Sequence, residues 1–396
     1  MFQDIQPPPA DSLMEVGKLY RADDRSDKMD LGVGTYRDNG GQIKVMATVK
    51  EAEGWKLKSQ IGKGYLGPAG DPLFCELLIA ELLPNLEAMA EGRMATIQTP
   101  GGTGAYRLGL ELAAHLSPGS RLIVGTPTWP NHIPTAEHCG IEHVAYPYYD
   151  AATGRVDFES LIAAANAARP RDLFLLHGCC HNPTGASLTR SQWLALRAVL
   201  AAKDLVPVVD LAYAGLARGI EADMEGTRLL LDALPQVIVA ISCSKSFGLY
   251  SDRTGMLAVL APNSRSARSC RLTAEALARM LWSNPPDHGA AVVRMILSDP
   301  TLRNAWYGEL EEMRTRLLSV RTRLAAASIA GDIDIEGQDG LFTMLPLQAA
   351  QILALRREHA IYLDLSSRIN IAGLNDNNID RFIEACRHVI LHPCIA

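Results

Sequence analysis

No run in the 396-residue chain approaches the roughly 18 consecutive apolar residues of a membrane-spanning helix, which excludes a helical membrane protein. A basic excess is also missing. Lys plus Arg number 38 against 44 Asp plus Glu, for a formal net charge of −6, with the signs interspersed. Neither nucleic acid nor an anionic membrane is therefore an expected partner. The opening MFQDIQPPPADSLMEV has no basic segment followed by an apolar one, so an unexported, cytoplasmic protein is expected. The 8 cysteines are scattered without CxxC spacing, which fits reduced thiols and argues against disulfide stapling. No phosphate loop of the form GxxxxGK[ST] occurs. A dinucleotide fingerprint begins with Gly102 and Gly104 but has Arg107 where its third glycine belongs, which disfavours a nucleotide-dependent oxidoreductase. Internal repeats and low-complexity tracts are absent. Hydrophobic residues at 48% and charged residues at 21% fit a globular chain, long enough for two or three units with cores of their own.

Short apolar runs alternate with helical patterns, which predicts an α/β protein with a largely parallel sheet. The predicted strands are Leu122 to Val124, His143 to Tyr146, Leu173 to Leu176, Val206 to Val209, Val237 to Ile241 and Met256 to Leu260. Polar or glycine-rich clusters follow these runs (PTWPNH, HGCCHNPTG, DLAY, SCSKSFG), and ligands of open α/β sheets collect beyond the carboxyl ends of strands. Trp306, Leu310, Met313, Leu317, Val320 and Leu324 recur at steps of four and three, the mark of one long amphipathic helix. It leads to a smaller α+β portion with apolar segments at 341–345, 361–365 and 369–371 and a closing helix through Ile379, Phe382, Ile383 and Cys386. Three successive prolines, Pro7 to Pro9, make the first dozen residues an expected extended arm.

The candidate chemistry centres on Lys245, which ends an apolar run among Ser242, Ser244, Ser246 and Gly248. An isolated lysine is most often a surface charge. Here Ser242 and Arg253 supply the hydroxyl and guanidinium a phosphate needs, and a desolvated amine suits Schiff-base chemistry, so the set points to a pyridoxal phosphate lysine. Such a cofactor needs a carboxylate at its pyridine nitrogen. Asp210, at the end of LVPVVDLAY, can supply it, although it could equally cap the next helix. Tyr213 could reach the cofactor's phenolic oxygen or simply pack in the core. Gly102 and Thr103 open a helix expected to bury Leu108, Leu112 and Leu116, and its first N–H groups form an anion site. Trp129 could cover a flat ring, His132 could support Asp210 from behind, and Asn182, before Pro183, is placed by a turn that presents its amide. His177, Cys179, Cys180 and His181 invite a metal, but neighbours on extended chain point to opposite faces and no second cluster has zinc spacing, so no metal is expected.

In this order LGVGTYRD, GYLGPAGD, GGTGA, PTWPNH, HNPTG with VVDLAY, SCSKSFGLYSDRTG, SNPPDHGA and SRINIAGL span essentially the whole chain. It resembles the class I pyridoxal phosphate aminotransferases, in particular the aspartate and aromatic amino acid subgroup. The resemblance implies fold type I, with a large domain on a mixed seven-stranded sheet, a small domain from both chain ends, and a homodimer with shared sites. It implies an arm over 1–14, a small domain over 15–45 and 313–396, and a large domain over 46–312. Lys245 would bond the cofactor and carry the proton, Asp210 would pair with the ring nitrogen, Tyr213 and Asn182 would contact its phenolic oxygen, and Trp129 would stack on it. Gly102, Thr103, Ser242, Arg253 and the partner's Tyr65 would hold the phosphate. Arg368 would clamp the substrate α-carboxylate, Gly34 belongs to the loop that closes over substrate, and Arg279 would take a side-chain carboxylate from across the interface. Two carboxylates need two fixed guanidinium forks, and both are available. Gly101, Trp282 and Ser246 depart from the common aspartate pattern. Gly101 and SRINIAGLNDN lean to aromatic enzymes, Asn284 and Thr103 to aspartate ones. The implied activity is transamination of tyrosine, phenylalanine and acidic amino acids with 2-oxoglutarate by a ping-pong route. An aspartate aminotransferase with little aromatic activity, or a lyase or decarboxylase on the same fold, is the alternative.

Overall fold

In the computed structural model the described residues are 12–392. The six predicted strands all fall in one seven-stranded sheet. Its order is Met94–Pro100, Thr254–Leu260, Val237–Ser242, Val206–Leu211, Leu173–His177, Leu122–Thr126 and His143–Pro147. The expectation of a parallel sheet is met by all but one strand. Thr254–Leu260 runs antiparallel to both its neighbours, so the sheet is mixed. Met94–Pro100 closes one edge, and only its end before Gly101 was legible as a strand.

Alternation of side chains divides each strand between two cores. Ile123, Phe174, Leu176, Val209, Val239 and Ile241 enter the larger core, while Leu122, Val124, Leu173, Leu175, Val208, Ile238 and Ala240 enter the other. Strands buried on both faces must be apolar throughout, which is why these runs are continuous. The register then aligns the strand ends: His177 lies opposite Asp210, Ser242 opposite Gly255, and Thr254 opposite Pro100. The helix Gly101–Leu116 packs on Val237–Ser242 and Thr254–Leu260 with Leu108 and Leu112 buried. Leu116 is exposed, because the last turn runs past the edge of that core.

The predicted long helix is Pro300–Ala326, and all six of its expected apolar residues are buried. Pro300 begins it where a missing N–H costs nothing, and the Asp299 carboxylate accepts from the Thr301 and Leu302 amides. The smaller α+β portion joins the chain ends. Met29–Asp30 pairs with Ile361–Tyr362, Phe342–Met344 pairs with Arg368–Asn370, and the helices Ala349–His359 and Ile379–Leu391 pack together. Most of the expected arm falls on residues outside those described, and its last positions begin the helix Ser12–Ala22. Among the described residues no helix is long and apolar enough to cross a membrane.

Candidate active site

The strand ends bring Lys245, Asp210 and Tyr213 to one crevice. Lys245 follows the strand Val237–Ser242, and its Nζ lies 5.1 Å from the Tyr213 ring centre. Burial pushes this amine down to about 8; the charge of Asp210 opposes the shift and Arg253 adds to it. Burial also works against the charge of Asp210, but contact with His132 and the nearby charge of Lys245 outweigh it and hold the carboxyl below its ordinary range. Tyr213 is buried, and desolvation with the neighbouring Asp210 charge raises its hydroxyl well above the usual value.

Behind Asp210 a chain of polar contacts fixes the imidazoles. His132 Nε2 lies 3.2 Å from Asp210 Oδ2. The Thr128 hydroxyl lies 2.8 Å from His132 Nδ1 and 3.1 Å from His177 Nε2, and the Asn182 amide donates to His177 Nδ1 at 3.4 Å. That amide can only donate, so His177 carries its proton on Nε2 and donates to Thr128. Thr128 then donates to His132 Nδ1, which leaves the His132 proton on Nε2, the nitrogen nearest Asp210. Burial and the neighbouring His132 push His177 down to about 3, which keeps it neutral and keeps the direction of the chain. The Tyr106 ring lies 4.8 Å from the His132 ring, and its hydroxyl donates to the His132 carbonyl at 3.1 Å. Trp129 packs edge-on against His132 at 5.1 Å.

The anion cradle lies beside this group. Gly101 opens its helix with φ +71, and a Cβ there would stand 2.6 Å from Arg253 Nη2. A Cβ on Gly102 would stand 2.8 Å from that of Ser242. Pro100 provides no side-chain cap, so the first-turn N–H groups near Gly102 and Thr103 face Ser242, Ser244 and Arg253. Arg253 is braced by the Tyr250 carbonyl at 3.0 Å and approaches the Ser244 hydroxyl at 3.5 Å. Both glycines leave room that any side chain would fill, and the cradle is cationic, so the residues present fit the phosphate of pyridoxal phosphate.

A second guanidinium stands on the opposite wall. Arg368, buried, donates to Asn182 Oδ1 at 3.2 Å and to the Gly32 carbonyl at 2.6 Å, with its plane 4.5 Å from the Phe342 ring centre. Gly34 faces the same ring, and a Cβ there would meet Phe342 Cζ at 2.9 Å. Lys245, Asp210, Tyr213, Trp129, Asn182, Gly102, Thr103, Ser242, Arg253, Arg368 and Gly34 are thus arranged around one crevice. Tyr65 and Arg279 are not drawn into it within a single chain: Tyr65 is 92% exposed, and Arg279 is exposed on the helix Ser264–Leu281. Thr128, Tyr106, Ser244 and Phe342 were not chosen from the sequence. Ser244 and Thr128 stood beside chosen residues, whereas Tyr106 and Phe342 read as ordinary core.

The buried thiols Cys179 and Cys180 lie near Asp223, whose carboxylate already accepts from the Gly215, Ala217 and Arg218 amides. His181 is engaged with the Thr184 hydroxyl at 2.9 Å.

Residues 26–386 match the model of the family Aminotransferase class I and II, and the chain belongs to that family. It is accordingly an aminotransferase whose cofactor is pyridoxal phosphate. The chain is 43% identical over 380 residues to a tyrosine aminotransferase of Rhizobium meliloti, covering 94% of this chain and 96% of the relative. It is 39% identical over 391 residues to an aspartate aminotransferase of Escherichia coli, covering 97% and 99%. The solved aromatic-amino-acid aminotransferase of Burkholderia pseudomallei, covalently bound to pyridoxal phosphate, superposes with a TM-score of 0.94 at 37% identity, covering 98% of this chain and 99% of that one.

Proposed function

We propose that the enzyme transfers the α-amino group of tyrosine, phenylalanine and acidic amino acids to 2-oxoglutarate in a ping-pong cycle. The observation that carries this reading is one crevice holding a desolvated amine at Lys245, a carboxylate at Asp210 and a buried guanidinium at Arg368. The names of relatives in both the aromatic and the aspartate groups support the substrate classes. Bound pyridoxal phosphate supplies an aldehyde that accepts the amino group and a ring that draws electrons from the substrate α-carbon. Lys245 would hold the cofactor through its aldehyde carbon and, as a free amine, would move the substrate α-proton. Asp210, held ionised by His132, keeps the ring nitrogen protonated, while Tyr213 and Asn182 hold the phenolic oxygen and Trp129 covers the ring. Gly102, Thr103, Ser242 and Arg253 grip the phosphate, and Arg368 orients the α-carboxylate beneath the Gly34 loop.

The completed site belongs to a homodimer in which Tyr65 and Arg279 serve the partner's crevice. Their exposure supports this, as do exposed apolar residues on the same two segments, Leu57 and Ile61 beside Tyr65, and Leu272 and Met280 beside Arg279. In that assembly residues 1–14 form an arm on the partner, 15–45 with 313–396 form the small domain, and 46–312 the large one. The enzyme works in the cytoplasm. Comparison of kcat/KM for tyrosine, phenylalanine and aspartate with 2-oxoglutarate tests the substrate range. A tyrosine value lower than that for aspartate by several orders of magnitude would reduce the reading to an aspartate enzyme, and formation of pyruvate or CO2 without an oxo acid acceptor would replace transamination altogether.

A further inference from the structure

Outside the crevice, the helix Ala349–His359 ends against the last turns of Ile379–Leu391. Three side chains of unusual composition meet there: Glu358, His359 and His388. Their ligand atoms all lie within 4.8 Å of one another. The His359 and His388 ring centres are 5.5 Å apart, and His392, one helical turn beyond, lies 5.1 Å from His388. Two imidazoles on one tetrahedral metal, with metal–nitrogen bonds of about 2.0–2.1 Å and ring centres about 1.1 Å farther out, would have centres about 5.2 Å apart. The His359–His388 spacing is close to that value.

We propose that Glu358, His359 and His388 bind a divalent transition-metal ion. The donors decide the class of ion. Imidazole nitrogens with one carboxylate favour zinc, nickel or cobalt over magnesium or calcium, which take oxygen ligands. The cluster is partly prepared. The buried His359 Nε2 has no hydrogen-bond partner among the described residues, and its backbone carbonyl is held by Arg381 Nη1 at 2.9 Å. Arg381 is itself neutralised by Asp27 at 2.8 Å, and Arg357 pairs with Glu358 Oε1 at 2.7 Å. Tetrahedral ligand atoms stand about 3.3 Å apart, so binding requires rotation of the exposed Glu358 and His388 side chains and release of Glu358 from its pair with Arg357. A bound ion would fasten the ends of two helices that are otherwise linked through two short strands and a 3-10 turn.

Titration of the holoenzyme with zinc chloride by calorimetry tests the proposal. The wild-type enzyme is expected to bind zinc saturably, one ion per chain, with a rise in Tm. His388→Ala, at an exposed position, and His359→Gln are each expected to weaken binding at least about tenfold, while His143→Ala, at an exposed pair elsewhere, leaves it unchanged. Absence of saturable binding in the wild type, or wild-type binding in His388→Ala, would overturn the assignment. Should His359→Gln fail to fold, His388→Ala alone decides.

Discussion

At the scale of single residues, Lys245 and Asp210 each act on the other's protonation within the crevice. The amine is depressed toward 8 by burial, and the carboxylate stays ionised because His132 is oriented toward it. The neutral amine is the nucleophile, so the cofactor-free enzyme should acquire the colour of bound pyridoxal phosphate faster as pH rises. The rate should climb by about tenfold per pH unit well below pH 8 and level off above it, followed by stopped-flow absorbance. A rate independent of pH from 6 to 9 would contradict the assignment. Lys245→Ala should lose turnover by at least about 10²–10⁴-fold and show no borohydride-stable adduct, while still binding the phosphate. Thr128 joins two buried imidazoles, so Thr128→Val strands both nitrogens. It should cost about 1–3 kcal/mol in holoenzyme unfolding, and Thr128→Ser should restore most of it.

At the scale of elements, two devices matter: a helix that begins on glycine and an arginine that straps a loop. Gly101 combines a left-handed backbone with contact against Arg253, so Gly101→Ala adds strain of about 1–2 kcal/mol and pushes on the cradle. Cofactor retention measured by dialysis should weaken about tenfold or more. Arg316, on the long helix, donates to the Tyr36 hydroxyl at 3.0 Å, to the Leu374 and Ala372 carbonyls at 2.8 Å, and to the Arg37 carbonyl. Asn370 completes the strap by donating to the Val33 and Thr35 carbonyls. The loop around Gly34 is thus fixed to the strand that carries Arg368. Arg316→Ala should raise KM for the amino donor more than it alters cofactor retention. Arg316→Lys should not rescue it, because one ammonium cannot serve four acceptors in a plane.

At the scale of the whole molecule, the proposed homodimer would divide the site between two subunits. A chain carrying Lys245→Ala has its own useless crevice but an intact Arg279, and a chain carrying Arg279→Ala has the converse defect. Coexpressed, the two should form hybrid dimers with one native crevice, restoring aspartate turnover that neither variant shows alone. No recovery would show that each subunit works with its own Arg279. The same logic separates substrates: Arg279→Ala should harm aspartate and glutamate far more than phenylalanine, since only the acidic side chains lose a charge-assisted pair.

The strands, the long helix and the candidate roles of Lys245, Asp210 and Arg253 were legible in the sequence because each leaves a local trace. Continuous apolar runs mark strands buried on both faces, a three-four step marks one helical face, and glycine and serine at strand ends mark a phosphate cradle. Other features exist only through register and packing. The reversed direction of Thr254–Leu260 depends on pairing with two remote strands. The orientation of the His132 ring depends on a hydroxyl from Thr128, a ring at 177 and an amide at 182, which the sheet brings into line. Phe342 and Gly34 meet across more than three hundred residues, and Glu358 and His359 meet His388 only where two helices end together. Sequence alone determined which groups this protein can offer, since composition and spacing fix the chemistry available. The tertiary structure decided which of them face one another, because contacts between distant segments depend on strand pairing and side-chain packing, which no local pattern encodes.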